Sequence, residues 1–323
     1  MTRSVGRLLW VSLPGPELTD EDRKFIERLD PLGVVIFREN VRNAAQVTSL
    51  TEAIRAIPGS PRLLAVDQEG GRVARLSEGV PALPSMRILG ERGEKEIEEA
   101  GLSLGQALRT LGFDVDFAPV LDVDSNPQNP IIGDRAFSSD PREAGVKALA
   151  FARGLLRGGV LPCGKHFPGH GDTSLDSHVA LPVVDAPASL LETREIVPFR
   201  MAVERGLPLM MTAHVVYPAW DGRVPATLSR TIVTGLLREK MGYRGLVLSD
   251  DLLMAAVAKG GVVEAALAAI DAGCDGLLVL KDQRQALSVM ESLEQILQAD
   301  PGRLLPAMER VARWWDEQRG SQC

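Results

Sequence analysis

The chain has 323 residues, of which 24% are charged and 45% hydrophobic, ordinary globular values that exclude a disordered polymer. Its 36 basic and 43 acidic side chains leave a formal charge of −7, which speaks against a nucleic-acid partner. The cysteines, Cys163, Cys274 and Cys323, contain no CxxC pair, so they suggest neither a disulfide framework nor a thiolate metal site and fit a reducing compartment.

The first apolar block, Leu8–Leu13, is too short for a signal segment or a membrane span, and no later block reaches that length. A cytoplasmic protein with no membrane partner is the expectation. Seven further short apolar blocks follow at Val34–Phe37, Leu63–Asp67, Val115–Asp122, Val160–Lys165, Leu207–His214, Gly245–Asp250 and Gly276–Leu280. None alternates, which is how buried parallel strands read when helices cover both faces. Helical patterns lie between and after them: Asp20–Leu29, Ala44–Ala56, Glu91–Leu111, Arg142–Arg157, Ala188–Glu204, Arg230–Lys240, Val262–Ala272, Arg284–Leu297 and Pro301–Arg319. Gly112, Gly158-Gly159, Gly206 and Gly242 stand where four of these helices should stop.

Eight strands alternating with helices predict an α/β fold, a (β/α)8 TIM-type barrel, with residues 1–323 as a single catalytic domain. An open doubly wound sheet is the alternative. It usually carries a glycine-rich first turn, and Leu13-Pro14-Gly15-Pro16 is no GxGxxG, so no nucleotide cofactor is expected. Monomer is the expected state, since no surplus apolar helix asks for a partner.

All four histidines, His166, His170, His178 and His214, fall at or just after the C-terminal end of a predicted strand, the barrel face that carries active sites. Carboxylates repeat the pattern. Asp67 ends the third block, Asp122 and Asp124 the fourth, and Asp250 and Asp251 the seventh. Side-chain alternation means Asp250 and Asp251 should not both enter one pocket, and Asp251 reads better as a loop cap. Tyr217 and Trp220, after His214, are candidates for a place in the pocket and equally for core packing.

The densest polar stretch is Lys165–His178, KHFPGHGDTSLDSH. A metal reading takes His166, His170 and either Asp172 or His178 as ligands. HxxxH groups ligands only on a helix, however, and Pro168-Gly169 argues against one. No metal is therefore expected. An acid/base reading pairs Asp176 with His178, the carboxylate orienting an imidazole that gives and takes a proton near neutrality.

That stretch resembles the signature loop of family 3 glycoside hydrolases, in their branch of bacterial β-N-acetylglucosaminidases. VDQEGGRVARL (66–76), NPIIGDRAFSSDP (129–141), MTAHVVYPAWDGRVPATLS (211–229) and LVLSDDLLM (246–254) resemble the family's other blocks, in the family's order. The resemblance implies a (β/α)8 barrel that removes terminal N-acetylglucosamine with retention of configuration. It implies Asp250 as nucleophile, and His178 as general acid/base assisted by Asp176. Sugar contacts are implied for Asp67, Arg75, Arg135, Lys165 and His166. The implied substrate is a muropeptide-type cell-wall fragment met during peptidoglycan recycling. Three rival readings stand beside it: a phosphorylase on the same scaffold, a metal-dependent hydrolase built on the His166/His170 cluster, and a non-catalytic sugar sensor.

Overall fold

The computed structural model describes residues 4–59, 62–174 and 181–320. Among the described residues, eight parallel strands form one sheet: β1 (Leu9–Ser12), β2 (Gly33–Ile36), β3 (Leu63–Val66), β4 (Val115–Asp116), β5 (Leu161–Phe167), β6 (Leu209–Thr212), β7 (Leu246–Leu248) and β8 (Leu277–Leu278). Their order is β8-β1-β2-β3-β4-β5-β6-β7, and a parallel bridge between Leu248 and Gly276 joins the two ends into a barrel. The barrel is the α/β architecture that the alternation of apolar blocks predicts. Every residue of β1, β2, β3, β6 and β7 is buried, because helices cover the outside and side chains fill the inside. Trp10 shows how tightly. Its fully buried indole faces Phe117, and a Cβ on Gly33 would come within 2.0 Å of it, so β2 needs a glycine at that register.

The strand edges differ from the sequence expectation for identifiable reasons. The fourth block leaves the ladder after Asp116: Pro119 has no amide to give, and only Val120 returns to bridge Lys165. The fifth strand runs on to Phe167, which places His166 inside it rather than beyond it. A short antiparallel hairpin, Gln68–Gly70 with Val73–Ala74, follows β3 and was not expected. Its two-residue turn begins at Gly71, whose φ of +55° suits glycine.

The helices are α1 (Asp20–Leu29), α2 (Ala44–Arg55), α3 (Glu94–Thr110), α4 (Pro141–Arg157), α5 (Ile196–Glu204), a π-type helix α6 (Thr231–Lys240), α7 (Val262–Ala272), α8 (Gln283–Ala299) and α9 (Pro301–Gly320). Thr19 and Asp22 make a reciprocal capping box at α1, and Asp140 caps α4 with Pro141 in its first turn. The expected 188–204 helix is broken into Ala188–Thr193 and α5. The break turns Glu195 fully inward, where Arg194 Nε donates to it at 2.6 Å. Gly112, Gly159, Gly206 and Gly242 all take positive φ at the predicted stops. No helix among the described residues is long and apolar enough to cross a membrane.

Candidate active site

A cavity of about 770 Å³ opens at the C-terminal ends of the strands. The third, fifth and seventh strands supply its polar floor. Asp67 and Glu69 flank Gln68, whose backbone N–H donates to the buried Asp116 carboxylate at 3.0 Å. The Gln68 side chain then fixes the hairpin: its Oε1 accepts from Arg75 N at 2.8 Å and from Leu76 N at 2.9 Å. Arg75 is thereby held over the pocket with its guanidinium 3.4 Å from Asp67 Oδ2.

Lys165, from β5, is the hub. Its buried Nζ donates to Asp67 Oδ1 at 2.7 Å and sits 2.6 Å from Glu69 Oε1. Arg135 closes the network with two parallel bonds to Glu69, each 2.8 Å. Burial opposes the charges of Glu69, Arg135 and Lys165, yet for these three the pairing wins. Beside Arg135 and Lys165 the Glu69 carboxyl stays far below the usual range, and both cations are held above theirs by the acids they touch. Sequence reasoning missed Glu69. Its signal was available: a glutamate two residues beyond Asp67, on the same side of an extended segment, with a glycine pair after it.

Six residues beyond β4, Asp122 organises the loop that follows β5. Its Oδ2 lies 2.7 Å from His166 Nδ1, and its Oδ1 accepts from the backbone N–H of His166 at 3.2 Å and of His170 at 2.7 Å. Burial pushes this carboxyl up, but the histidines pull it below its ordinary value. Asn129 Nδ2 clamps the same loop through the His170 and Gly171 carbonyls, both at 2.8 Å. His170 packs edge-on against His166 and meets Thr173 Oγ1 through Nδ1 at 2.9 Å. Burial lowers its pKa to about 4, so it stands neutral. Each ring is thus committed to a carboxylate or hydroxyl. No group of three metal-type ligands occurs among the described residues. Asp176 and His178, the predicted acid/base pair, lie outside the described residues.

Asp250 follows the tip of β7 and lines the cavity. Burial raises its pKa, but His214, His166, the Asp251 N–H and Lys165 outweigh burial and keep it below the ordinary value. Asp251 lines the cavity too, yet its Oδ1 is spent on the Leu253 and Leu280 amides at 3.1 and 3.2 Å, the capping role expected of it. Tyr217 and Trp220 belong to the core: Tyr217 is fully buried with its hydroxyl on the Gly169 carbonyl, and Trp220 packs on the core beside it. The aromatics that do line the cavity are Phe37 and Phe117.

The structure therefore brings Asp67, Arg75, Arg135, Lys165, His166 and Asp250 around one pocket on the active-site face of a parallel barrel. That arrangement defines a (β/α)8-barrel enzyme. The glycosyl hydrolase family 3 N-terminal domain matches residues 2–313. A β-hexosaminidase of Thiobacillus denitrificans is 42% identical over 315 residues, covering 94% of this chain and 85% of its own length. Among solved structures, a family 3 β-N-acetylglucosaminidase from a Paenibacillus species superposes with a TM-score of 0.89 at 36% identity. That match takes in 96% of this chain, which spans 62% of the Paenibacillus protein's length. NagZ from Neisseria gonorrhoeae, solved with N-trifluoroacetyl-D-glucosamine, gives 0.78 at 33% identity over 95% of this chain and 97% of its own. The chain belongs to glycosyl hydrolase family 3 and is a glycoside hydrolase.

Proposed function

We propose that this protein is a retaining exo-β-N-acetylhexosaminidase that removes terminal N-acetylglucosamine from muropeptide-type cell-wall fragments. The observation that carries the reading is an ionised Asp250 lining the same pocket as the Asp67–Lys165–Glu69–Arg135 network. Similarity to proteins named β-hexosaminidase supports the choice of sugar.

In the first step an Asp250 oxygen attacks the anomeric carbon. The bond to the leaving oxygen breaks as the His178 imidazolium, oriented by Asp176, hands that oxygen a proton. In the second step neutral His178 takes a proton from water, the water oxygen bonds to the anomeric carbon, and the ester to Asp250 breaks. Retention follows from two inversions. Asp67 accepts hydrogen bonds from sugar hydroxyls. Arg75, Lys165 and His166 donate to them, and Arg135 holds Glu69 and through it Lys165. No cofactor enters this scheme, and the protein works as a cytoplasmic monomer of one catalytic domain.

A fluorinated, slowly turned-over N-acetylglucosaminide tests the reading. Mass spectrometry should find the sugar on the peptide containing Asp250, and the first product seen by NMR should be the β-anomer. An adduct elsewhere, or an α-anomer first, overturns it. Running the assay with and without phosphate separates hydrolysis from phosphorolysis.

A further inference from the structure

Within that reading, which gives Asp67 and Arg75 the sugar hydroxyls, we infer that Asp116 is a positioning residue for substrate. Its carboxyl holds the Asp67–Gln68 peptide and so fixes the grip on the sugar. Asp116 is the last residue of β4 and is fully buried. Its Oδ1 accepts from the Gln68 N–H at 3.0 Å. Beside that contact, the Phe117 N–H donates to the Val66 carbonyl at 2.8 Å. Asp67 lies between the two, so consecutive residues at the end of β4 bracket it on both sides.

The path of the backbone explains why a side chain is needed. Past Phe117 the chain turns toward β5, where the Ala118 and Pro119 carbonyls accept from Cys163 at 2.9 Å and from Lys165 at 3.2 Å. Gln68 is itself buried, and a buried amide without an acceptor is costly. The Asp116 carboxyl meets it. That one contact supports three residues of the pocket. Asp67 precedes Gln68 and Glu69 follows it. The Gln68 side chain accepts from the Arg75 and Leu76 amides and returns a bond from Nε2 to the Leu76 carbonyl at 3.1 Å. A shift of the Gln68 peptide would therefore displace Asp67, Glu69 and Arg75 together.

The rest of the carboxyl points to the same role. Its Oδ2 is buried with no hydrogen-bond partner among the described residues. A fully buried carboxyl with a single bond is costly, and burial pushes its pKa well above the usual range. An apolar side chain would fill the place better if packing were all the position required. The bond from Gln68 needs no charge, because a carboxylate oxygen and the carbonyl oxygen of a neutral acid both accept. Asp116 does not line the cavity, which is why it acts through Asp67 and not on substrate.

Four substitutions test the role. Asp116→Asn keeps the accepting oxygen, Asp116→Leu removes it, and Asp116→Ser leaves a hydroxyl one bond short of Gln68. Val115→Ala, at a fully buried neighbour on the same strand, loosens packing and leaves the carboxyl in place. Hydroxyl contacts away from the anomeric carbon serve ground state and transition state alike, so their loss raises KM and spares kcat. With an aryl N-acetyl-β-glucosaminide, Asp116→Leu and Asp116→Ser should raise KM by about tenfold with kcat within about threefold. Calorimetric binding of N-acetylglucosamine should weaken by the same factor. Asp116→Asn should stay within about twofold of the unaltered protein, and Val115→Ala should melt lower with KM unmoved. An unmoved KM in the Leu and Ser substitutions, or an equal rise in Val115→Ala, overturns the inference. Collapse of both deletions beside an intact Asp116→Asn protein assigns the residue to folding alone and overturns it too. If the unaltered protein fails to cleave the glycoside, the proposed function falls while the binding ratio for N-acetylglucosamine still decides the inference. Absence of binding as well overturns both.

Discussion

Two neighbouring aspartates divide the work at the tip of β7. Asp250 is ionised in the pocket, while Asp251 gives its oxygen to two backbone amides and is pushed up by burial to about pH 6. A carboxyl whose folded pKa is raised contributes stability below its unfolded value and loses it as pH rises through 6. Asp251→Asn keeps the accepting oxygen and removes the charge. It should therefore raise stability by about 1–2 kcal/mol at pH 8 and by nothing near pH 4, with aryl-glycoside turnover retained within about tenfold. Urea melts at the two pH values, beside a turnover assay, check both halves. At this scale the sequence was most informative where residue type and strand position agreed. Asp67, Lys165 and Asp250 are charged residues at the ends of apolar runs, and such charges are costly unless paired or used. Glu69 and Asp122 were harder to read because their roles come from partners 66 and 44 residues away.

Helices α3 and α4 pack backbone to backbone. A Cβ at Gly101 would stand 2.3 Å from the Phe151 carbonyl oxygen, and one at Gly154 would stand 2.2 Å from the Glu98 oxygen. Gly105 and Gly158 repeat the contact one turn on, at 2.8 and 2.7 Å. Alanine is the better helix former by about 1 kcal/mol, but here it meets backbone that cannot swing aside. Gly154→Ala should thus destabilise by about 2–3 kcal/mol, measured by denaturant unfolding, against the propensity scale's expectation of a gain. The strands and helices themselves were legible from apolar blocks and glycine stops. What escaped were features set by contact in three dimensions: the hairpin that Gln68 pins, the early end of β4, and the helix break that turns Glu195 inward.

For the whole molecule, buried charge ties the fold to pH. His170 is held neutral until the pH falls toward about 4, well below an exposed histidine, and Glu69 is held ionised far below an exposed glutamate. Both folded values are depressed, so both contributions are complete above the unfolded values and drain away as pH falls: the histidine's from about 6.5 downward, the glutamate's from about 4.5. Thermal melting should fall progressively from pH 7 to pH 4. Replacing His170 with Asn should flatten that slope by the equivalent of about 3 kcal/mol, leaving the steeper loss below pH 4.5 in place. A slope unchanged in the variant would assign the acid sensitivity elsewhere.

The end of the chain has its own place in this architecture. Trp314 on α9 donates to the Pro208 carbonyl just ahead of β6, and Trp315 lies under Arg7 just ahead of β1. The last helix is therefore bolted beneath the strand beginnings, on the side opposite the pocket. A surface that packed against α9 would therefore meet the molecule on the face away from its cavity.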